Sequence, residues 1–187
     1  MTRLLTAVVV LTWALPGLAA GGGAPQAPVN PDAQRLVEFK ERIDQYLAMR
    51  NKADDGAPRL KETEEPSEIQ NAQQSLAARI RAARPEAKQG DIFTAATAAH
   101  FRRLLRPELD KSTKDVIKED NPGNFPFKVN DTYPEDQPRS TVPPNVLATL
   151  PELPKEQAIE YRFVNKHLIL LDARANLIMD YLPNAIP

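Results

Sequence analysis

Ile159-Glu160-Tyr161-Arg162-Phe163-Val164, then His167-Leu168-Ile169-Leu170-Leu171-Asp172, then Leu177-Ile178-Met179-Asp180-Tyr181-Leu182: these three six-residue runs decide the fold. The first alternates polar and apolar residues, the pattern of a half-buried strand. The other two are short apolar blocks rich in residues that favour strands. Asn165-Lys166 separates the first pair, and Asn tolerates the positive φ of a two-residue hairpin turn. Ala173-Arg174-Ala175-Asn176 separates the second pair and suits a type I turn with Asn176 left-handed. The spacing predicts a three-stranded antiparallel β-meander over 159–182. Three short strands need something packed on one face.

The preceding residues supply that packing. Asn30-Pro31-Asp32 is a helix start, combining a cap, a Pro suited to the first helical position and an acid at the positive end of the dipole. Leu36, Phe39, Ile43 and Tyr46, widened by Val37 and Leu47, then form one apolar face that Gly56 and Pro58 end. A second helix opens at Glu65-Pro66-Ser67-Glu68. It carries Ile69, Ala72, Leu76, Ile80 and Ala83 on one side and stops at Pro85. The two are expected to form an antiparallel helical hairpin. Thr94 caps a third helix, 95–106, with Ala98, Phe101 and Leu105 inward, and 109–120 suggests a short fourth with Val116 and Ile117 inward. From Pro122 to Pro154 there are eight prolines in 33 residues, which marks a connector with room for one helical turn near Pro143-Pro144. The expectation is a single α+β domain over 30–187: helices over 30–120, a Pro-rich connector over 121–158, and the meander.

The first twenty residues read as an address. A positive start at Arg3, a twelve-residue apolar run from Leu4 to Leu15, and the small residues Ala19-Ala20 together make a secretory signal peptide, cut after Ala20. Twelve residues are too few to span a bilayer, which takes about 20, so no transmembrane anchor is expected after cleavage. Residues 21–29 (GGGAPQAPV) read as a disordered leader. The expected location is secreted or periplasmic.

Composition narrows the function. The chain has 187 residues, no Cys and two His. Disulfide frameworks, thiolate zinc sites, iron–sulfur ligation and cysteine nucleophiles are therefore excluded. A formal charge of −1 argues against a nucleic-acid binder. His100 and His167 lack ligand spacing to each other or to acids, and His100 precedes Arg102 and Arg103, which would repel a metal ion. Ser67, Ser75, Ser112 and Ser140 sit in no nucleophile turn, and no phosphate loop is present. No catalytic residue, metal ligand or cofactor is expected.

One charge asymmetry stands out. Residues 79–106 hold seven basic and two acidic side chains, whereas 107–136 hold eight acidic and four basic ones. Arg81, Arg84, Arg102, Arg103 and Arg106 are thus candidates for binding an anionic surface or an acidic envelope protein. Neutralisation by the acidic segment within the same molecule is the competing reading.

The C-terminal fifty residues resemble the β-hairpin module of periplasmic nickel/cobalt-homeostasis (RcnB-like) proteins. The likeness lies in an aromatic strand (161–164), a tight turn, an apolar strand closing on Asp172, a second turn and a last apolar strand (177–181). Those modules place Gly at their turns, and this chain has none after Gly123. The resemblance implies a small exported bacterial protein and transfers no ligand residue. The expected role is non-enzymatic binding or scaffolding through the helical hairpin or a strand edge. The alternative is metal- or anion-binding homeostasis, and an enzyme of unfamiliar type ranks third.

Overall fold

A computed structural model describes residues 30–55, 65–121, 123 and 125–187. The expected signal peptide and leader, and the helix stop at Gly56 and Pro58, lie outside the described residues. Among the described residues, five α-helices precede the strands: α1 (Pro31–Asp55), α2 (Pro66–Ala83), α3 (Ala95–Leu105), α4 (Lys111–Glu119) and α5 (Pro144–Thr149). The chain ends in β1 (Ile159–Val164), β2 (His167–Asp172) and β3 (Leu177–Leu182). The protein is α+β, as the pattern predicts.

The caps explain where the helices begin. Asn30 Oδ1 accepts the Asp32 N–H at 2.9 Å ahead of α1. Thr94 Oγ1 accepts from the Thr97 N–H, and Asp110 Oδ1 accepts from the Thr113 N–H at 2.7 Å. The helix α1 buries Phe39, Ile43, Tyr46 and Leu47. Val37, expected on this face, is 56% exposed, because two residues from Phe39 is about 200° round a helix. Leu36 sits at the rim of the face, also largely exposed. The helix α2 buries Leu76, Ala77 and Ile80, but its first turns stand clear of the body, so Ile69 is exposed and not inward as expected. Arg79 bonds the Ala53 carbonyl and Arg84 lies over the Tyr46 ring, so α1 and α2 run antiparallel. In α4, Ile117 is buried and Val116 exposed, since neighbours 100° apart cannot share one narrow face.

The sheet order is β1-β2-β3, antiparallel throughout. Val164 pairs with His167 across the two-residue turn, where Asn165 has φ 53°, and Asn176 closes the second turn at φ 48°. Both faces of the sheet are covered. Ile159, Tyr161, Phe163, Leu168, Leu170, Leu177 and Met179 join the helical core, where Phe39, Phe93 and Phe101 stack on one another. Val164, Ile169, Leu171 and Ile178 face a smaller cluster built on Tyr133, with Phe125 and Phe127 from the connector. The connector is thus a strap across the far face of the sheet, with α5 inserted after it.

Two buried carboxylates knit these layers. Asp172 accepts the Tyr46 hydroxyl at 2.9 Å and a guanidinium N–H of Arg50 at 3.4 Å, while its other oxygen takes the Arg174 and Ala175 N–H groups. Arg50 also donates to the carbonyl and the side-chain oxygen of Gln157. Asp180 points into the 88–93 loop, accepting the N–H groups of Gly90, Ile92 and Phe93 at 3.0, 2.7 and 2.8 Å. Its aim comes from a β-bulge. Leu170 pairs with Asp180 but Leu171 pairs with Ile178, so Met179 is the extra residue and the alternation slips beside it. Burial pushes the Asp180 carboxyl up, against the pull of its backbone donors.

Candidate partner-binding edge

The five arginines do not form one patch. Arg81 donates to the Asn130 carbonyl and to Thr132 Oγ1, fastening α2 to the strap. Arg84 directs both terminal nitrogens at the Met179 carbonyl, each at 3.2 Å, and stacks on Tyr46. Arg102 bonds the Pro183 carbonyl at 2.7 Å, and Arg103 bonds Asp32 and the His100 ring. Arg106 is exposed at the end of α3. Two of the five make ion pairs, Arg103 with Asp32 and Arg84 with Asp91, and neither acid belongs to 107–136. Backbone carbonyls are thus the chief partners of the basic run.

The two histidines are held apart and in different ways. His100 is buried between α3 and the first turn of α1. Its Nδ1 lies 2.9 Å from Arg103 and 3.4 Å from Asp32, and its Nε2 has no partner. Burial lowers its pKa. His167 accepts the Asn184 N–H at Nδ1 and packs against Phe127 and Tyr181; burial lowers its pKa as well. Among the described residues, no three His, Asp or Glu side chains are placed to hold a metal ion, and no helix is long and apolar enough to cross a membrane.

A groove of about 720 Å³ lies beside β1. The strap and α5 wall it with Val142, Pro144, Leu147 and Leu150, and β1 walls it with Ile159 and Tyr161. The helix α5 is held in place by Asn145, whose amide reaches the Glu108 carbonyl and Thr113. The Tyr161 hydroxyl donates to the Pro151 carbonyl at 3.1 Å. Leu147, 50% exposed, opens onto the groove. The charged side chains on its rim cancel in pairs, Arg162 with Glu160 at 2.6 Å and Lys155 with Glu152 at 3.8 Å.

The strand wall of the groove carries unused backbone groups. The turn at 165–166 makes Val164 and His167 a hydrogen-bonded pair, so Glu160, Arg162 and Val164 turn their backbone to β2. Ile159, Tyr161 and Phe163 turn theirs outward. Ser140 Oγ donates to the Phe163 carbonyl at 2.5 Å, and Arg162 reaches the Tyr161 carbonyl at 3.3 Å. Among the described residues, nothing accepts from the Ile159 and Tyr161 N–H groups. The opposite edge is closed: Asn130 N–H bonds the Ile178 carbonyl, Ile178 N–H bonds the Asp131 carbonyl, and Tyr133 N–H bonds the Asn176 carbonyl, at 2.9, 2.9 and 3.1 Å. The sheet therefore has one edge paired with the strap and one, β1, without a pairing strand among the described residues, its Phe163 end covered by Ser140.

The sequence does not announce this site. Its walls come from 141–155 and 159–162, and neither stretch shows a motif. Compared with protein-family models, curated protein sequences and solved structures, the chain matches none.

Proposed function

We propose that this chain is an exported, non-enzymatic binding protein that takes an extended protein segment into the groove beside the unpaired edge of β1, beneath α5. The observation that carries this reading is the coincidence of free backbone donors at Ile159 and Tyr161 with an apolar groove alongside them. Strand addition uses both: main-chain bonds supply affinity and the groove selects alternate side chains. The self-cancelling charges on the rim favour contact through backbone and apolar side chains. Export rests on the signal pattern of residues 1–20.

The test is fluorescence anisotropy with a labelled, alternating Val-Thr hexapeptide. A saturable rise is expected. Leu147→Glu, at a half-exposed position where folding is not at stake, should abolish it. No saturable binding, or equal binding to the Leu147→Glu protein, overturns the proposal.

A further inference from the structure

We infer that the first turns of α1 are an acid-released latch: protonation of His100 breaks the contact that holds them to α3. That contact is small. Among the described residues, no side chain of α1 before Phe39 is buried, so little apolar packing anchors residues 31–38. What ties this stretch to α3 is Asp32, whose Oδ1 accepts from Arg103 at 2.7 Å and lies 3.4 Å from His100 Nδ1. Arg35 shares the same oxygen from within α1. The charged groups facing His100 are thus Asp32 and Arg35 from α1 and Arg103 from its own helix. A segment held by few buried contacts is where a fold opens first.

The closed geometry requires a neutral imidazole. A guanidinium has donors and no acceptor. Arg103 Nη2 stands 2.9 Å from His100 Nδ1, so the Nδ1 lone pair accepts from it and the proton of the neutral ring sits on Nε2. The same Arg103 nitrogen serves Asp32, which closes a three-residue junction between the helices. A second proton has to go on Nδ1. It turns that acceptor into a donor aimed at a donor, and leaves His100, Arg103 and Arg35 to share the single carboxylate of Asp32. Nε2 offers no relief, being buried without a partner. The residue is 4% exposed, so the new charge reaches water only if a neighbour moves, and the unburied end of α1 moves most easily. Burial lowers the proton affinity of the closed ring, and opening restores the ordinary value of about 6.5. Acid therefore drives opening from about pH 6.5 downward, until the closed form is itself protonated. Opening presents Arg103 and a charged His100 side by side on α3, a cationic pair that Asp32 neutralises when the turn is closed.

Amide exchange on the mature protein, read as protection factors that divide out the intrinsic pH dependence of exchange, tests this. Between pH 7.5 and 5.5, protection at Gln34 to Glu38 should fall about threefold or more, while Ile43 and Tyr46 of the same helix keep theirs. His100→Gln keeps an acceptor for Arg103 and does not titrate, so its profile over 34–38 should be flat. His167→Gln should behave as wild type. If His100→Gln fails to fold, the wild type decides through its ring-proton shifts: the loss of protection has to accompany the titration of His100, with a midpoint below about 6.5. Protection over 34–38 that ignores pH, an equal fall at Ile43 and Tyr46, a fall unchanged in His100→Gln, or a loss that does not accompany His100 overturns the proposal.

Discussion

Replacing Asp180 by Asn isolates what holds the 88–93 loop to the sheet. One carboxylate oxygen takes Ile92 and Phe93, and the other takes Gly90 and the residue's own neighbour Tyr181, at 2.7 Å. An Asn amide keeps one acceptor oxygen. Turned to serve Ile92 and Phe93, it points its NH2 group at two N–H donors. A buried donor left without an acceptor costs about 1–3 kcal/mol. Gly90 and Tyr181 are partly buried, so the lower half of that range applies to each, giving about 2–4 kcal/mol in all. Desolvation of the carboxylate, which raises its pKa, offsets part of what the wild-type bonds contribute and keeps the sum from going higher. Urea unfolding at neutral pH gives the total, and amide exchange at Gly90, Ile92 and Phe93 locates it. A loss under about 1 kcal/mol, or unchanged exchange in the loop, would refute the reasoning, because a single orphaned donor already reaches that value.

Arg50→Met leaves the buried Asp172 without its cation and should cost about 3–5 kcal/mol by the same urea assay, whereas the exposed pair of Lys40 with Asp44 should cost under about 1 kcal/mol when broken. Ala158 sits at φ 54° before β1, so Ala158→Gly should stabilise the fold by about 0.5–1 kcal/mol, the relief of left-handed strain less the added chain entropy; a fall in Tm contradicts this. His100 and His167 both have lowered pKa values in the folded protein, so the unfolded chain binds more protons as pH drops past about 6.5. Their stabilising contribution is present above that pH and lost below it. Tm should fall between about pH 7.5 and 5.5, with a shallower slope in His100→Gln.

The strands were legible because their information is local. Alternation marks β1, and Asn165 and Asn176 stand where positive φ is needed, so both turns can be placed from side-chain type alone. Helix starts at Asn30 and Thr94 are legible for the same reason. Charged residues are a different matter. Arg50, Asp172 and Asp180 look like solvent-facing punctuation between apolar residues, yet each is buried, because their long-range partners lie 87 to 126 positions away in the chain. Arg81, Arg84 and Arg102 form a basic run in sequence, while in space each reaches a different backbone carbonyl. Composition does not distinguish a guanidinium in water from one capping a carbonyl. The bulge that turns Asp180 inward has no marker, since Met179 fits a regular strand equally well. The groove beside β1 is a property of strand order and strap placement, which emerge only when the whole chain is assembled.

The sheet is the middle layer of the molecule, and its strands follow both outer layers in the chain. Helices built first have their apolar faces waiting for Phe163, Leu170 and Met179, and the strap built next waits for Ile169 and Ile178. Even Ala185 and Ile186 are buried. The native core therefore closes only once β3 has joined the sheet, and loss of β3 alone would strip Leu177 and Met179 from one layer and Ile178 from the other. A nascent chain of this design keeps the apolar faces of its helices and strap uncovered until β3 emerges.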